Sequence, residues 1–268
     1  MTRYRRIAIS IAKRAGRLLM QHYGKVHEIE HKGRHLINLV TNVDKKSEAF
    51  IVGALKQHFP AHQILAEEGL GAKGFSSYKW IIDPLDGTTN YTHGFPFFCV
   101  SIGLEVDGKM VLGVVYAPMF NELFVGVRGI GATLNGERIR VSTERRLSRS
   151  LLATGFPYDI REATRNNLNY FAKFAKTAQA IRRAGSAALD LCYLACGRFD
   201  GFWELRLAPW DLAAATLIVE EACGKVTNFD GKKLNLYGDD VVASNGKIHR
   251  AMLKIIREVN ASSYFPRR

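Results

Sequence analysis

Between residues 5 and 23, Ile7, Ile11, Leu18, Leu19 and Tyr23 recur near helical spacing while basic residues occupy the other side. That pattern predicts an amphipathic helix at the start of the chain. A second helix is predicted over 44 to 58, where Phe50, Ile51, Ala54 and Leu55 form the apolar stripe and Pro60 stops it. From Lys79 the pattern changes to strands. Trp80-Ile81-Ile82 reads as a short buried strand, and Phe97 to Val106 and Met110 to Tyr116 form a hairpin across the tight turn Asp107-Gly108. Glu122 to Arg128 extends this sheet, and Asn135-Gly136 marks a further turn before Arg138 to Val141.

After Ser150 the order is mixed. Strands are predicted at Leu151 to Thr154 and Gly201 to Glu204, with helices over 161 to 177 and 186 to 196. Pro209 suits a first helical turn and Gly224 a helix end, which predicts a helix over 209 to 223. Short strands at Lys225 to Thr227 and Val241 to Ala243 and a last helix over 247 to 259 complete the pattern. The expected class is α+β in layers, without internal repeats. The 268 residues read as a single catalytic unit with approximate halves 1–145 and 146–268, the first bearing the metal site.

Composition adds limits. Apolar residues make up 47% and charged residues 24%, ordinary globular usage. The apolar run from Asp211 to Val219 is short of the roughly 20 residues that span a bilayer, so no membrane association is expected. Ser10, Lys13, Arg14 and Arg17 interrupt any secretory signal core, which predicts a cytoplasmic protein. Cys99, Cys192, Cys196 and Cys223 lie in apolar stretches without a C-x-x-C pair and are expected to be reduced and buried. A formal charge of +13 implies affinity for anions: phosphorylated metabolites, nucleic acid or acidic lipid. The basic groups, such as Arg145, Arg146 and Arg149, are scattered, so weak nucleic-acid binding is expected only as an accessory role.

The densest chemical signal is Trp80-Ile-Ile-Asp83-Pro-Leu-Asp86-Gly-Thr88-Thr-Asn90. A buried strand there delivers two carboxylates, three residues apart, into a turn. Pro84 restricts the backbone and Gly87 permits close approach, so Asp83 and Asp86 can converge. Carboxylate oxygens at such a turn suit magnesium. Asp-Pro and Asp-Gly are also ordinary turn formers. Glu67, in Ala66-Glu67-Glu68-Gly69, and Asp211, in the first turn of a helix, strengthen the metal reading. Each further acid has a plainer role: Asp211 offsets the helix dipole, Asp44 caps the helix beside it, and Glu204 is an exposed strand residue.

Asp83-Pro-Leu-Asp-Gly-Thr-Thr-Asn90 and Trp210-Asp211-Leu-Ala-Ala-Ala resemble the two signatures of the inositol monophosphatases, within the magnesium-dependent, lithium-sensitive phosphatases. The resemblance runs through Leu39-Val-Thr-Asn-Val-Asp44, Glu67-Glu68, Asn121-Glu-Leu-Phe124, Gly185-Ser-Ala-Ala-Leu-Asp190 and Asp200-Gly-Phe-Trp-Glu204, nearly the whole chain. It implies an αβαβα sandwich, a homodimer, two or three Mg2+ ions and inhibition by Li+. Glu67, Asp83 and the carbonyl of Leu85 would hold the first ion, and Asp83, Asp86 and Asp211 the second; a weaker third would share Glu67. Glu67, Thr88 and Asp44 would be catalytic, with Thr88 and Asp44 orienting the attacking water. Gly87 and Thr88 amides, with Leu85, Asp86 and Asp211 nearby, would receive the phosphate. Gly185, Ser186, Ala187 and Glu204, with Asp86 and Arg182, would bind the alcohol. Inositol 1-phosphate is the first substrate expected, with a related sugar or polyol phosphate, fructose 1,6-bisphosphate or a phosphoadenosine nucleotide as alternatives. Gly69, where many relatives carry Ser or Thr, and the Arg182-Arg183-Ala184 approach to Gly185 depart from the common pattern.

Other chemistries fit less well. Cys192 to Arg198 has the C-x5-R spacing of cysteine phosphatases, but Ala187 to Cys196 reads as a helix whose amides are already bonded. Aspartyl-phosphate enzymes place two aspartates in D-x-D, whereas Asp83 and Asp86 are three apart. A nucleic-acid or transcription-complex binding module that keeps the fold is the remaining class.

Overall fold

The computed structural model describes residues 1–25, 29–31, 39–74 and 76–262. The first half runs α1 (Thr2–His22), β1 (Ile29–His31), β2 (Leu39–Thr41), α2 (Asn42–His58), β3 (Gln63–Ala66), β4 (Tyr78–Asp86), α3 (Thr88–Thr92), β5 (Cys99–Val106), β6 (Lys109–Ala117), β7 (Glu122–Val127), β8 (Gly131–Leu134) and β9 (Glu137–Arg138). Strands β3 to β9 form one sheet in sequence order, parallel at β3/β4 and antiparallel beyond. The second half runs β10 (Leu151–Thr154), α4 (Leu168–Ala175), β11 (Ala180–Arg182), α5 (Ala187–Ala195), β12 (Gly201–Leu205), α6 (Pro209–Glu221), β13 (Lys225–Thr227), β14 (Asp240–Ser244) and α7 (His249–Ser262). Its sheet has the order β11-β10-β12-β14-β13.

Strand alternation sorts the side chains into layers. Trp80 and Ile82 of β4 face the apolar stripes of α1 and α2, while Ile81 faces Ala213 and Leu217 of α6. Phe202 of β12 and Val241 and Ala243 of β14 point inward to α5 and α6; Trp203, Leu205 and Val242 point outward to α4 and α7. The result is the expected αβαβα sandwich, with α5 and α6 between the sheets. Three glycines let α6 lie close to the first sheet. Gly103, Gly113 and Gly126 pair across β5, β6 and β7, and a methyl group on Gly126 would lie 2.9 Å from the Ile218 Cα.

Several boundaries differ from expectation. Helix α2 starts at Asn42 because Thr41 caps it: the Thr41 hydroxyl accepts from the Val43 and Asp44 amides, and the Asp44 carboxylate accepts from the Thr41 amide. The helix expected over 161–177 is confined to α4, since Asn167 stands at its N-cap with φ 76° and its side chain is spent on Thr154, Gly155 and Trp203. The strand expected at Arg138 to Val141 stays in the ladder only at Arg138, and beyond it the Ile139 and Val141 amides donate singly to the Ala132 and Ala222 carbonyls. Strands β3 and β11 carry no clear alternation and escaped the pattern. The four thiols are not uniformly buried: Cys99 and Cys192 are, Cys196 is half-buried, and Cys223 is exposed in a left-handed turn after α6, φ 68°.

Candidate active site

The β4/β5 register shifts between Asp83 and Asp86, so the last strand residues do not simply alternate. This irregularity turns both carboxylates to one place. Asp211, in the first turn of α6 behind Pro209, completes a group in which one carboxylate oxygen from each residue lies within 4.8 Å of the others. Each acid is tethered on one side. The Asp83 Oδ1 accepts from the Leu85 amide at 2.9 Å, and the Asp211 Oδ2 from the Ala208 amide at 2.7 Å. The Asp86 Oδ2 accepts from Ser186 Oγ at 2.7 Å and the Ala188 amide at 2.8 Å, which joins the two halves of the chain.

Glu67 reaches the same place because β3 runs parallel to β4, with Ala66 opposite Ile82. It stands close enough to Asp83 for a carboxyl hydrogen bond. The loop that presents it is held by Glu48, whose fully buried carboxylate accepts from the Glu68 amide at 2.6 Å and the Leu70 amide at 2.7 Å. Gly69 in that loop has φ 94°, a backbone state that favours glycine over Ser or Thr.

Thr88 Oγ1 donates to Asp44 Oδ1 at 2.8 Å, so the expected pair is in contact. Asp44 is fully buried; burial raises its pKa, and the Thr41 and Thr88 hydrogen bonds oppose the rise. Gly87, φ 99°, must be glycine: a methyl there would lie 2.9 Å from the Phe97 carbonyl oxygen. Asn90 then donates to the Phe97 and Ala184 carbonyls, both at 2.7 Å, and abuts Gly185 at its φ of 90°.

These residues open on a cavity of about 260 Å3. Glu67, Asp86, Gly87, Thr88 and Asp211 line it together with Gly185, Ser186, Ala187 and Glu204. Glu204 is buried, not the exposed strand residue its plainer reading held, because β12 is internal to its sheet. Arg182 does not line the cavity; Arg183 does. Successive side chains leave a strand on opposite sides, and the Arg182 guanidinium turns back to the Ile181 carbonyl. Sequence reading also missed the wall formed by Phe156, Pro157 and Tyr158, which carries no motif.

The electrostatics point to a missing positive charge. Burial raises the Asp83 and Asp211 pKa values well above the usual carboxylate range, reinforced by Glu67 and Asp86. Burial likewise carries Asp86 to about 6, against the Ser186 and Ala188 hydrogen bonds. Buried acids packed against one another need a cation or protons. An all-oxygen set of this kind fits a hard divalent ion. The thiol alternative fails on the same grounds: burial pushes Cys192 up, and Arg198 is committed to Glu122 and the Tyr193 ring.

A layered α+β sandwich with an acidic, metal-accepting centre beside a polar cavity is the architecture of a metal-dependent phosphatase. The chain belongs to the inositol monophosphatase family, which matches residues 1–261. It is 45% identical over 247 residues to an inositol-1-monophosphatase of Synechocystis sp., covering 92% of this chain and 86% of that one. It is 42% identical over 253 residues to the Nus factor SuhB of Escherichia coli K12, covering 94% and 95%. The solved inositol monophosphatase of Anabaena superposes with a TM-score of 0.87 at 43% identity, over 96% of each chain. No helix among the described residues is long and apolar enough to cross a membrane.

Proposed function

We propose that this protein is a magnesium-dependent phosphomonoesterase acting on inositol 1-phosphate or a related sugar or polyol phosphate. The observation that carries the reading is the convergence of one carboxylate oxygen each from Asp83, Asp86 and Asp211 within 4.8 Å, beside a cavity lined by Asp86, Asp211 and Glu204. Glu67, Asp83 and the Leu85 carbonyl would hold one Mg2+, and Asp83, Asp86 and Asp211 a second. Bound magnesium supplies a lowered water pKa and charge neutralisation at phosphate.

The chain's own groups do the rest. Thr88, held by Asp44, keeps lone pairs free to accept from the attacking water. The Gly87 and Thr88 amides face the phosphate. Ser186 and Ala188 hold Asp86 in place, while Gly185, Ala187 and Glu204 receive the alcohol, with Arg183 taking the role expected of Arg182. A homodimer in the cytoplasm, inhibited by Li+, completes the proposal. The Nus-factor relative and the charge of +13 favour an added nucleic-acid role through exposed groups such as Arg145, Arg146 and Arg149.

The test is phosphate release from inositol 1-phosphate, fructose 1,6-bisphosphate and phosphoadenosine phosphate, with Mg2+, with EDTA and with Li+. Magnesium-dependent, lithium-blocked release, nearly abolished by Asp83→Asn and Asp211→Asn in folded protein, is expected. Undiminished turnover in either variant would sink the ligand assignment. Folded wild type that releases phosphate from none of the three would leave only the binding role.

A further inference from the structure

One buried carboxyl in the cavity wall takes no part in the chemistry described above. Asp190 is 1% exposed, and among the described residues its side chain makes no hydrogen bond; the Oδ1 is sealed from solvent without a partner. An acid in the first turn of α5 is ordinarily explained by the helix dipole. That explanation asks neither for burial nor for an unbonded carboxyl. The N-cap duty of α5 is already met by Ser186, whose hydroxyl accepts from the Leu189 amide. A buried carboxyl without partners costs stability, and Asp190 lines the cavity, so its retention calls for a ligand there that brings a donor to the carboxyl.

The surroundings define that ligand. Asp190 and Glu204 line the same cavity, and each lies near enough to Arg183 for the guanidinium to oppose the rise that burial imposes on their pKa values. Among the described residues Arg183 forms no ion pair. The cavity therefore offers these two carboxyl acceptors and the Arg183 guanidinium, while the other lining arginine, Arg206, is paired with Asp159. A second phosphate would meet both acids. A hydroxyl, being donor and acceptor at once, suits all three groups.

We propose that Asp190 is a specificity-determining residue that accepts a hydrogen bond from a hydroxyl of the leaving alcohol. The inference rests on the phosphomonoesterase reading. A site built to bond a hydroxyl discriminates strongly against an alcohol without one, because its own polar groups are then left unpaired.

The experiment compares kcat/KM on myo-inositol 1-phosphate with that on p-nitrophenyl phosphate, whose leaving group carries no further hydroxyl, for wild type, Asp190→Asn and Asp190→Ala. The ratio of the two is expected to fall about 10-fold or more in Asp190→Ala and by less in Asp190→Asn, whose amide oxygen still accepts. The melting temperature of metal-free Asp190→Ala should equal or exceed that of wild type. An unchanged ratio in both variants overturns the proposal, and a lowered melting temperature with an unchanged ratio makes Asp190 a packing residue. Should Asp190→Ala not fold, the ratio in Asp190→Asn decides alone. If wild type hydrolyses p-nitrophenyl phosphate without favouring the inositol ester, this inference falls and the phosphatase reading stands. If it hydrolyses neither, both fall.

Discussion

The row of glycines under α6 allows the catalytic geometry to be perturbed without touching an acid. In Gly113→Ala, the new methyl would lie 3.0 Å from the Ala214 Cα and closer still to its carbonyl oxygen. Both are helix backbone and cannot rotate away, so α6 must lift from β6. Two opposing effects set the size. Replacing a strand glycine by alanine favours folding by about 0.5–1 kcal/mol through the unfolded chain. Overpacking costs about 1–3 kcal/mol, and with backbone atoms on the far side the upper part of that range applies. The net is a loss of about 1–2 kcal/mol, or a fall in Tm of roughly 2–4 °C at this chain length.

Asp211 lies one helical turn before Ala214, so the lift carries one member of the three-carboxylate group away from the other two. Displacements on the order of 1 Å in such a constellation cost up to about 100-fold in rate. Thermal denaturation and a Mg2+ titration of phosphate release read the two effects, and the loss should be greatest below metal saturation. Gly53→Ala serves as the control: Gly53 is an exposed glycine within α2 with no atom within 4 Å of the added methyl. It should gain about 0.5–1 kcal/mol and leave the titration unchanged. A Gly113→Ala variant as stable and as avid for Mg2+ as wild type would refute the account of how α6 positions Asp211.

Apparent Mg2+ affinity should rise with pH between about 4 and 7, because the metal must displace protons from acids with raised pKa values. In the metal-free fold Asp86 stays protonated to about 6, whereas the unfolded chain releases that proton near its ordinary value of 3.8, so the folded state binds more protons and loses stability as pH rises through this window. Calorimetric Mg2+ titrations at several pH values test this, and a flat profile contradicts it. Glu48→Gln should weaken Mg2+ binding and cost about 1–3 kcal/mol, since the amide cannot accept from both the Glu68 and Leu70 N–H groups without turning its NH2 against one of them; unchanged denaturation and metal titration would refute that role. In native protein a thiol reagent should modify Cys223 first and reach Cys99 and Cys192 only on unfolding, as mass mapping of labelled peptides would show.

The sequence was legible where one physical demand dominated. Helices α1 and α2 bury a stripe against a sheet, α6 is buried all round between the two sheets, and Pro209 and Gly224 marked its ends. Asp83 and Asp86 stood out because Pro84 and Gly87 restrict the same short turn. What escaped depends on contacts distant in the chain. No local pattern shows that Glu48 holds the Glu67 loop from 20 residues away, or that Asn90 reaches the Ala184 carbonyl. Arg182 and Arg183 differ by one residue, and only the register of β11, a strand too short to show alternation, decides which of them meets the cavity.

The most telling residues were also those whose local readings were plausible and incomplete. Asp211 does serve the start of α6, and Asp44 does belong to a capping box, yet each of those duties occupies only part of a carboxylate. The other Asp44 oxygen accepts from Thr88, whereas Asp211 is buried against other acids, an arrangement that lowers the stability of the metal-free fold at neutral pH. Helix capping alone would be met as well on the surface, where the carboxylate stays hydrated. Gathering Glu67, Asp83, Asp86 and Asp211 beside one another is favourable only together with positive charge, and of the two arginines that line the cavity Arg206 is paired with Asp159 and Arg183 stands near Asp190 and Glu204. The counter-charge must come from outside the chain, which is why the energetic penalty and the proposed metal-dependent chemistry trace to the same residues.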